Sequence, residues 1–222
     1  MSGYLGSKAA SGAYQGIIAL MPPHDTYIET HLGSGAVMLR KPPAMQSYGI
    51  DIDSESIRTS SLEHCTLICA DAVDFLMHFD FSSAGRVLVY SDPPYVLSTR
   101  GKARYRFDYT DADHCRLVEC LKKVPAAVLL SGYPSKLYDR LLSEWNSISF
   151  QVMTRGGVRT ECLWFNYDPY SLHWSTFAGK NFIDRQRIKR KAERWAQKYR
   201  GLSTHERIAV LSQLLTVDHS QF

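Results

Sequence analysis

Short runs of β-branched, aromatic and aliphatic residues alternate with helix-like stretches along most of the first 170 residues. Strands that alternate with helices form βαβ units, so the sequence predicts an α/β fold with a mostly parallel sheet. The predicted strands are Thr26–His31, Ser47–Asp51, Thr66–Ala70, Val87–Ser91, Ala127–Gly132, Ser147–Met153 and Glu161–Tyr167. The predicted helices are Ser34–Arg40, Ser54–Glu63, Ala72–Phe79, Thr110–Lys123 and Ser135–Trp145.

The last predicted strands break this alternation. No helix fits between Met153 and Glu161, and the Gly-rich segment 155–157 is typical of a hairpin tip. The sheet is therefore expected to end in an antiparallel pair. After Tyr167 the sequence predicts two helices around Gly201, so we expect an α/β domain over residues 1–170 and a basic helical C-terminal extension over residues 171–222.

The composition is that of an ordinary globular protein. Of the 222 residues, 45% are hydrophobic and 22% charged, which excludes an intrinsically disordered chain. No apolar run reaches the roughly 18 residues of a membrane span, and the first residues have no apolar segment typical of a signal peptide. The five cysteines form no CxxC pair, so we expect a reduced cytoplasmic protein without a metal site.

Positive charge is concentrated in three segments. Between Lys180 and Arg200 the net charge is +7, although that of the whole chain is only +4. One such segment alone is often a solvated surface, but three favour a polyanionic partner. The residues predicted to contact DNA are Arg100, Lys102, Arg104, Arg106, Tyr109, Arg155, Arg159, Lys189, Arg190 and Lys191.

Glycine or aspartate follows three of the predicted strands. The Gly-rich turn Glu29–Gly35 would let backbone amides approach a ligand closely, although a tight turn without a ligand has the same composition. Asp51 ends the next strand, where an acid can accept hydrogen bonds from a ribose diol. Asp71 follows the third and could hold an adenine amine, but helix capping would explain an aspartate there equally well.

The most specific motif is Asp92-Pro93-Pro94-Tyr95, directly after the apolar strand Val87–Ser91. The exocyclic amine of a base is a poor nucleophile because its lone pair is delocalised into the ring. The Asp92 carboxylate and a carbonyl of the proline turn can accept its hydrogens and free that lone pair. The prolines fix the backbone, and Tyr95 offers a face on which an extruded base can stack.

In motif order, the sequence resembles the Dam-like N6-adenine DNA methyltransferases over roughly residues 4–167. The resemblance implies a Rossmann-like methyltransferase sheet in an enzyme encoded by a bacterium or phage. It implies a catalytic site of Asp92, Pro93, Pro94 and Tyr95. The residues expected to bind S-adenosylmethionine are Tyr4, Lys8, Glu29, Leu32, Gly33, Ser34, Gly35, Asp51, Asp71 and Asp92.

Two features depart from that family. The family loop has Glu-Pro-Phe where this chain has Glu29-Thr30-His31, and only 21 positions separate Asp71 from Asp92. That spacing leaves no room for the usual recognition domain, so a short or relaxed target is expected. Three alternatives stay open: methylation of cytosine N4, methylation of an RNA or protein amine, and a catalytically silent DNA-binding protein on the same scaffold.

Overall fold

A computed structural model describes residues 8, 13–100, 106–154, 157–168 and 182–215. The strands are β1 (Thr26–Glu29), β2 (Gln46–Asp51), β3 (Thr66–Cys69), β4 (Val87–Ser91), β5 (Ala127–Gly132), β6 (Asn146–Thr154) and β7 (Gly157–Phe165). The helices are α1 (Ala13–Ala19), α2 (Ser54–Thr59), α3 (Ala72–His78), α4 (Asp111–Lys123), α5 (Lys136–Leu141), α6 (Phe182–Arg200) and α7 (Thr204–Leu215), with a 3₁₀ turn at Leu97–Thr99.

The seven strands form one sheet in the order β3-β2-β1-β4-β5-β7-β6. The first five strands of this order are parallel, and β7 is antiparallel to both β5 and β6. The hairpin register ends with Thr154 opposite Gly157. The predicted fold class, a mostly parallel α/β sheet ending in an antiparallel hairpin, is confirmed.

Both faces of the sheet are covered, which explains why its central strands are continuously apolar. All five residues of β4 are buried. Val87 and Val89 face a core that includes residues of α3 and α4, whereas Leu88 and Tyr90 face a second core that includes Ile17 of α1. Residues at the carboxyl ends of the parallel strands are thereby held at one edge of a rigid sheet.

The helix predicted over Ser34–Arg40 is wrong. The segment forms successive turns, and two glycines with positive φ, Gly33 and Gly35, precede them. Instead, α1 forms earlier in the chain, where no helix was predicted, and buries Ile17 and Ile18. The helix starts predicted at Thr110 and Ser135 are confirmed, because both side chains accept hydrogen bonds from the first turn of the following helix.

The chain divides into two compact units, residues 1–174 and 175–222. The second contains α6 and α7, which join at Gly201 as the sequence predicts. Every described side chain from Lys189 to Lys198 on α6 is exposed. Among the described residues, no helix is both long and apolar enough to cross a membrane.

Candidate active site

The turn after β4 places Asp92 and Tyr95 at the carboxyl edge of the sheet, in its middle. Pro93 is buried, Asp92 is half-buried, and Tyr95 is only 7% exposed. Ligands of open α/β sheets bind at this edge. The two prolines fix the backbone of the turn, so Asp92 is presented in a defined position rather than on a mobile loop.

Lys8, predicted to contact the methyl donor, lies against this turn. Its Nζ donates to both carboxylate oxygens of Asp92, at 2.6 and 2.7 Å, and to the Tyr95 hydroxyl at 2.5 Å. Lys8 is itself only 7% exposed. Lys8 and the turn that carries Asp92 and Tyr95 are therefore in direct contact. Tyr4 lies outside the described residues.

Three further residues of this cluster were not predicted from the sequence. Ser131, at the carboxyl end of β5, donates to Asp92 Oδ1 at 2.7 Å. Glu161 of β7 accepts a hydrogen bond from the Tyr95 hydroxyl, and its Oε1 lies 3.5 Å from Lys8 Nζ. Tyr133 packs edge-on against the Tyr95 ring with 4.4 Å between centroids. Glu161 could have been found as the one acidic residue that begins a predicted apolar strand.

Burial governs the charges around this cluster. The pKa of Glu29 is raised to about 8, first because the carboxyl group is buried and further because Asp92 lies near. Burial also raises the pKa of Glu161, while the Lys8 ammonium opposes that shift. The buried phenol of Tyr95 has a pKa well above its usual value. At neutral pH the Tyr95 hydroxyl therefore stays protonated and donates to Glu161.

The Gly-rich turn and Asp51 are held together by backbone hydrogen bonds. Gly33 N donates to Asp51 Oδ2 at 2.7 Å, and Asp53 N donates to Asp51 Oδ1 at 2.9 Å. Gly33 and Gly35 have φ of 49° and 63°, in the left-handed region that favours glycine. A Cβ on Gly35 would also lie 2.7 Å from Leu62. The turn and the acid thus form one preorganised unit beside β1.

The other predicted donor-site residues differ in their surroundings. Asp71 Oδ1 caps α3, accepting from Val73 N and Asp74 N, and lies 3.0 Å from the Arg116 guanidinium. Capping explains this aspartate, so its contact with a donor stays a prediction. Leu32 is buried, with its methyl groups against Gly49, whereas Ser34 is exposed.

His31 replaces the aromatic residue of the resembling family and pairs with Tyr109. Its Nε2 lies 3.0 Å from the Tyr109 hydroxyl, and Nδ1 lies 2.9 Å from Thr30 Oγ1. Burial lowers the pKa of His31 to about 3, so the ring is neutral at physiological pH. These contacts join the Gly-rich turn to the segment that precedes α4.

The residues predicted to contact DNA fall into two groups. The Arg100 side chain is only 8% exposed and lies against the turn after β4: its Nε donates to the Tyr95 carbonyl at 2.8 Å, and its guanidinium pairs with Asp108. Arg106 pairs with Asp53 and Glu55. The second group, which comprises Arg159, Lys189, Arg190 and Lys191, is exposed, as is Arg106. Lys102, Arg104 and Arg155 lie outside the described residues.

No protein-family model matches the sequence, and no curated protein matches it. Among solved structures, the chain is similar to precorrin 8w decarboxylase from Methanobacterium thermoautotrophicum, with 13% identity over 74% of this chain and 97% of that one and a TM-score of 0.47. It is similar to the N-methyltransferase NodS from Bradyrhizobium japonicum, at 11% identity, 71% and 99% coverage, and a TM-score of 0.46. It is also similar to magnesium protoporphyrin IX methyltransferase from Synechocystis with bound SAM, at 12% identity, 69% and 78% coverage, and a TM-score of 0.45.

Proposed function

We propose that this protein is a methyltransferase that uses S-adenosylmethionine to methylate N6 of adenine in DNA. The observation that supports this most directly is the buried cluster at the carboxyl edge of the sheet. There the Asp92 carboxylate accepts hydrogen bonds from the Lys8 ammonium. A carboxylate in that setting suits an exocyclic amine. No other described acid stands directly after a central strand beside two prolines.

The described residues fit the methyl donor. The backbone fixes Asp51 at the end of β2, and each of its two oxygens accepts one amide hydrogen at under 3 Å. A carboxylate oxygen has two lone pairs, so Asp51 retains capacity for the hydroxyls of a ribose. The adjoining Gly-rich turn lets backbone approach a ligand without hindrance from side chains. When bound, S-adenosylmethionine would supply an activated methyl group on a sulfonium.

The chain's own residues would orient and activate the acceptor. Asp92 accepts an N–H of the base amine and draws the nitrogen toward tetrahedral geometry, so that its lone pair can attack. Transfer of the methyl group would leave the donor as a neutral thioether and would release one proton from the nitrogen. The Asp92 carboxylate is placed to accept that proton. Preorganised positioning of this kind accounts for most of the expected rate.

Exposed basic residues in each of the two units support a nucleic-acid substrate. Lys189, Arg190 and Lys191 are exposed on α6, and Arg159 is exposed near the tip of the hairpin formed by β6 and β7. Contacts from such residues go mainly to phosphates, which position a duplex without selecting its sequence. A target base has to leave the stack to reach Asp92. We therefore expect binding that depends strongly on salt and a short or relaxed target.

The decisive experiment measures methyl transfer and identifies the product. The protein is incubated with isotopically labelled S-adenosylmethionine and unmethylated genomic DNA, and the digested nucleosides are separated by mass spectrometry. We expect label in N6-methyladenine. The Asp92→Ala variant should lose transfer by at least about 100-fold, in the range found when a stabilising group is removed from an active site. Its affinity for the donor, measured by calorimetry, should change only a few-fold.

Parallel reactions with RNA and with cytosine-rich DNA separate the alternatives. Label in N4-methylcytosine or in RNA nucleosides would show that the substrate is a different amine. The proposed role of Asp92 would be unchanged. Binding of the donor without label in any nucleic acid would reject a nucleic-acid substrate. A wild-type rate in Asp92→Ala would show that the catalytic assignment is wrong.

A further inference from the structure

The contacts of Lys8 resemble those required of the substrate amine. Its Nζ donates to Asp92 Oδ1 and Oδ2 at 2.6 and 2.7 Å. The amine of an adenine would approach the same carboxylate with the same kind of donor, an N–H group. Both nitrogens cannot occupy one place, so Lys8 has to move before an acceptor base can reach Asp92.

Moving a buried ammonium away from Asp92 would be costly without another anion nearby, because a charge in the protein interior needs a partner. Glu161 supplies a second one. Its Oε1 lies 3.5 Å from Lys8 Nζ, and its side chain is 4% exposed. Glu161 lies on β7, whereas Asp92 follows β4, so the two carboxylates flank the ammonium from different elements.

Tyr95 connects the two positions. Its hydroxyl accepts a hydrogen bond from Lys8 at 2.5 Å and donates one to Glu161. This hydroxyl can remain a partner of the ammonium wherever Lys8 lies between the two carboxylates. A short displacement would therefore exchange one anion for the other without leaving the ammonium unpaired.

We infer that Lys8 is a built-in occupant of the methyl-acceptor position, and that Glu161 is the positioning residue that receives its ammonium when the acceptor amine enters. The inference rests on the proposed amine methylation and adds to it a residue and a regulated step. Lys8 remains protonated throughout, and no bond to it forms or breaks. In the absence of an acceptor, the ammonium keeps the Asp92 carboxylate paired.

A double-mutant cycle tests the coupling between the two residues. Single-turnover methylation of DNA at saturating donor is measured for wild type, Glu161→Gln, Lys8→Met and the double variant. Glu161→Gln should slow transfer at least tenfold in the presence of Lys8, because the ammonium then has no second anion. In the Lys8→Met background the same change should alter the rate less than twofold. Equal slowing in both backgrounds would overturn the inference, since Glu161 would then act on Tyr95 alone.

A second measurement needs no methyl transfer. Lys8→Ala should leave a cavity beside Asp92 and Glu161 that a primary ammonium ion can fill. We expect n-propylammonium to raise the thermal unfolding midpoint of Lys8→Ala by about 2–4 °C. At equal ionic strength tetramethylammonium, which has no N–H to donate, should not. The matched control is Lys8→Met, whose side chain fills the same volume.

The two measurements distinguish a failure of the proposed function from a failure of the inference about Lys8. If DNA is not methylated but n-propylammonium stabilises Lys8→Ala selectively, the proposed function fails and the amine site stands. If DNA is methylated but both ammonium ions act alike, or Lys8→Met responds as strongly as Lys8→Ala, the site does not recognise an amine and the inference fails. A Lys8→Ala protein that does not fold leaves the double-mutant cycle as the deciding test.

Discussion

Asp51 shows how one side chain can serve both the fold and a ligand. Its two oxygens accept amide hydrogens from Gly33 and Asp53, so the acid fixes the Gly-rich turn before any ligand binds. Burial raises its pKa, and the two amide hydrogen bonds oppose that shift. The outcome is a fixed, partly buried acceptor beside the proposed donor.

Replacing Asp51 by alanine should therefore weaken donor binding. We expect a loss of about 1–3 kcal/mol, the usual cost of leaving a hydrogen-bonding partner unpaired. Asp53→Ala is the matched control: Asp53 caps α2, so its loss should reduce stability while leaving donor affinity within about twofold. Calorimetry with S-adenosylmethionine measures the affinity of both variants. Equal losses of affinity would assign the effect to the turn as a whole rather than to the Asp51 carboxylate.

The raised pKa of Glu29 predicts how the stability of the protein depends on pH. Its pKa is raised from 4.5 to about 8 by burial, so the folded protein keeps a proton that the unfolded chain loses. The stability that this group contributes is complete below pH 4.5 and is lost as the pH rises to about 8. Glu29→Gln, which mimics the protonated acid, should match wild type near pH 4.5 and exceed it at pH 8 by on the order of 3 kcal/mol.

Urea unfolding without ligand, at several pH values, measures this difference. Glu119→Gln, a change at an exposed acid on α4, is the control and should show no such pH dependence. A constant difference between Glu29→Gln and wild type from pH 4.5 to 8 would show that Glu29 is ionised in the folded protein.

At the scale of single residues, the sequence predicted the acidic site residues at the ends of parallel strands but missed Glu161, which lies elsewhere. Asp51 and Asp92 stand at strand ends, where position alone suggests a site. Glu161 lies within an antiparallel strand, opposite Phe150 and one residue before the partner of Gly132. Antiparallel pairing brings the middle of β7 to the carboxyl edge, and that follows from tertiary structure rather than from a local motif.

At the level of elements, three residues before α4 that the sequence assigned to DNA contact other parts of the protein. Arg100 joins the Tyr95 carbonyl to Asp108, Arg106 joins the start of α2, and Tyr109 joins His31. A cluster of arginines suggests phosphate binding, but the sequence does not show that acids lie opposite two of them. A largely buried guanidinium such as that of Arg100 stabilises a fold through hydrogen bonds as well as charge.

Arg100 and Arg159 should therefore differ when each is replaced by glutamine. Arg100→Gln removes the hydrogen bond to the Tyr95 carbonyl and the ion pair with Asp108, so the free energy of unfolding should fall by about 1–3 kcal/mol. Arg159→Gln changes an exposed residue and should leave that free energy within about 0.5 kcal/mol.

Chemical denaturation compares the two proteins, and DNA binding at two salt concentrations completes the comparison. Binding should weaken in Arg159→Gln, although its stability is unchanged. A stable Arg100→Gln with weakened DNA binding would return Arg100 to the phosphate-contacting role that the sequence predicts.

Local signals also explain which elements were predicted well. The predicted bounds of β4 and β5 agree with the structure because both strands are buried on two faces and end in polar or glycine residues. The segment after Gly35 has helix-forming residues, but the two left-handed glycines and Pro42 and Pro43 leave too few residues for a regular helix. Backbone geometry there overrides propensity.

In the whole molecule, positive charge is concentrated on α6. Residues 180–200 carry a net +7, whereas the remainder of the chain is net negative. Replacing Lys189, Arg190 and Lys191 by glutamine should weaken DNA binding about equally on all sequences. The slope of log affinity against log salt should fall by up to about three, because each phosphate contact contributes about 0.9.

The matched control replaces three other exposed cations, Arg58, Lys122 and Lys123, by glutamine. They end α2 and α4, at the edge where β3 and β5 begin, away from the candidate site. Both variants lose three positive charges. Fluorescence anisotropy with labelled duplexes over a salt series therefore shows whether DNA affinity depends on where the charges lie or only on the net charge. Equal weakening would indicate a general electrostatic attraction.

The place of β7 in the sheet has a consequence for synthesis on the ribosome. Of the strands in the described part of the chain, β7 is the last to be made, yet it lies between β5 and β6. Until Phe165 has emerged from the ribosome, the edge of β5 that pairs with β7 has unpaired backbone groups. β6 also lacks the strand with which it pairs. Open edges favour pairing between chains, so a nascent chain stalled after β6 and before β7 would be the form most exposed to aggregation. Glu161 lies on that strand, so the proposed amine site is completed in the same step that pairs β7 with β5 and β6.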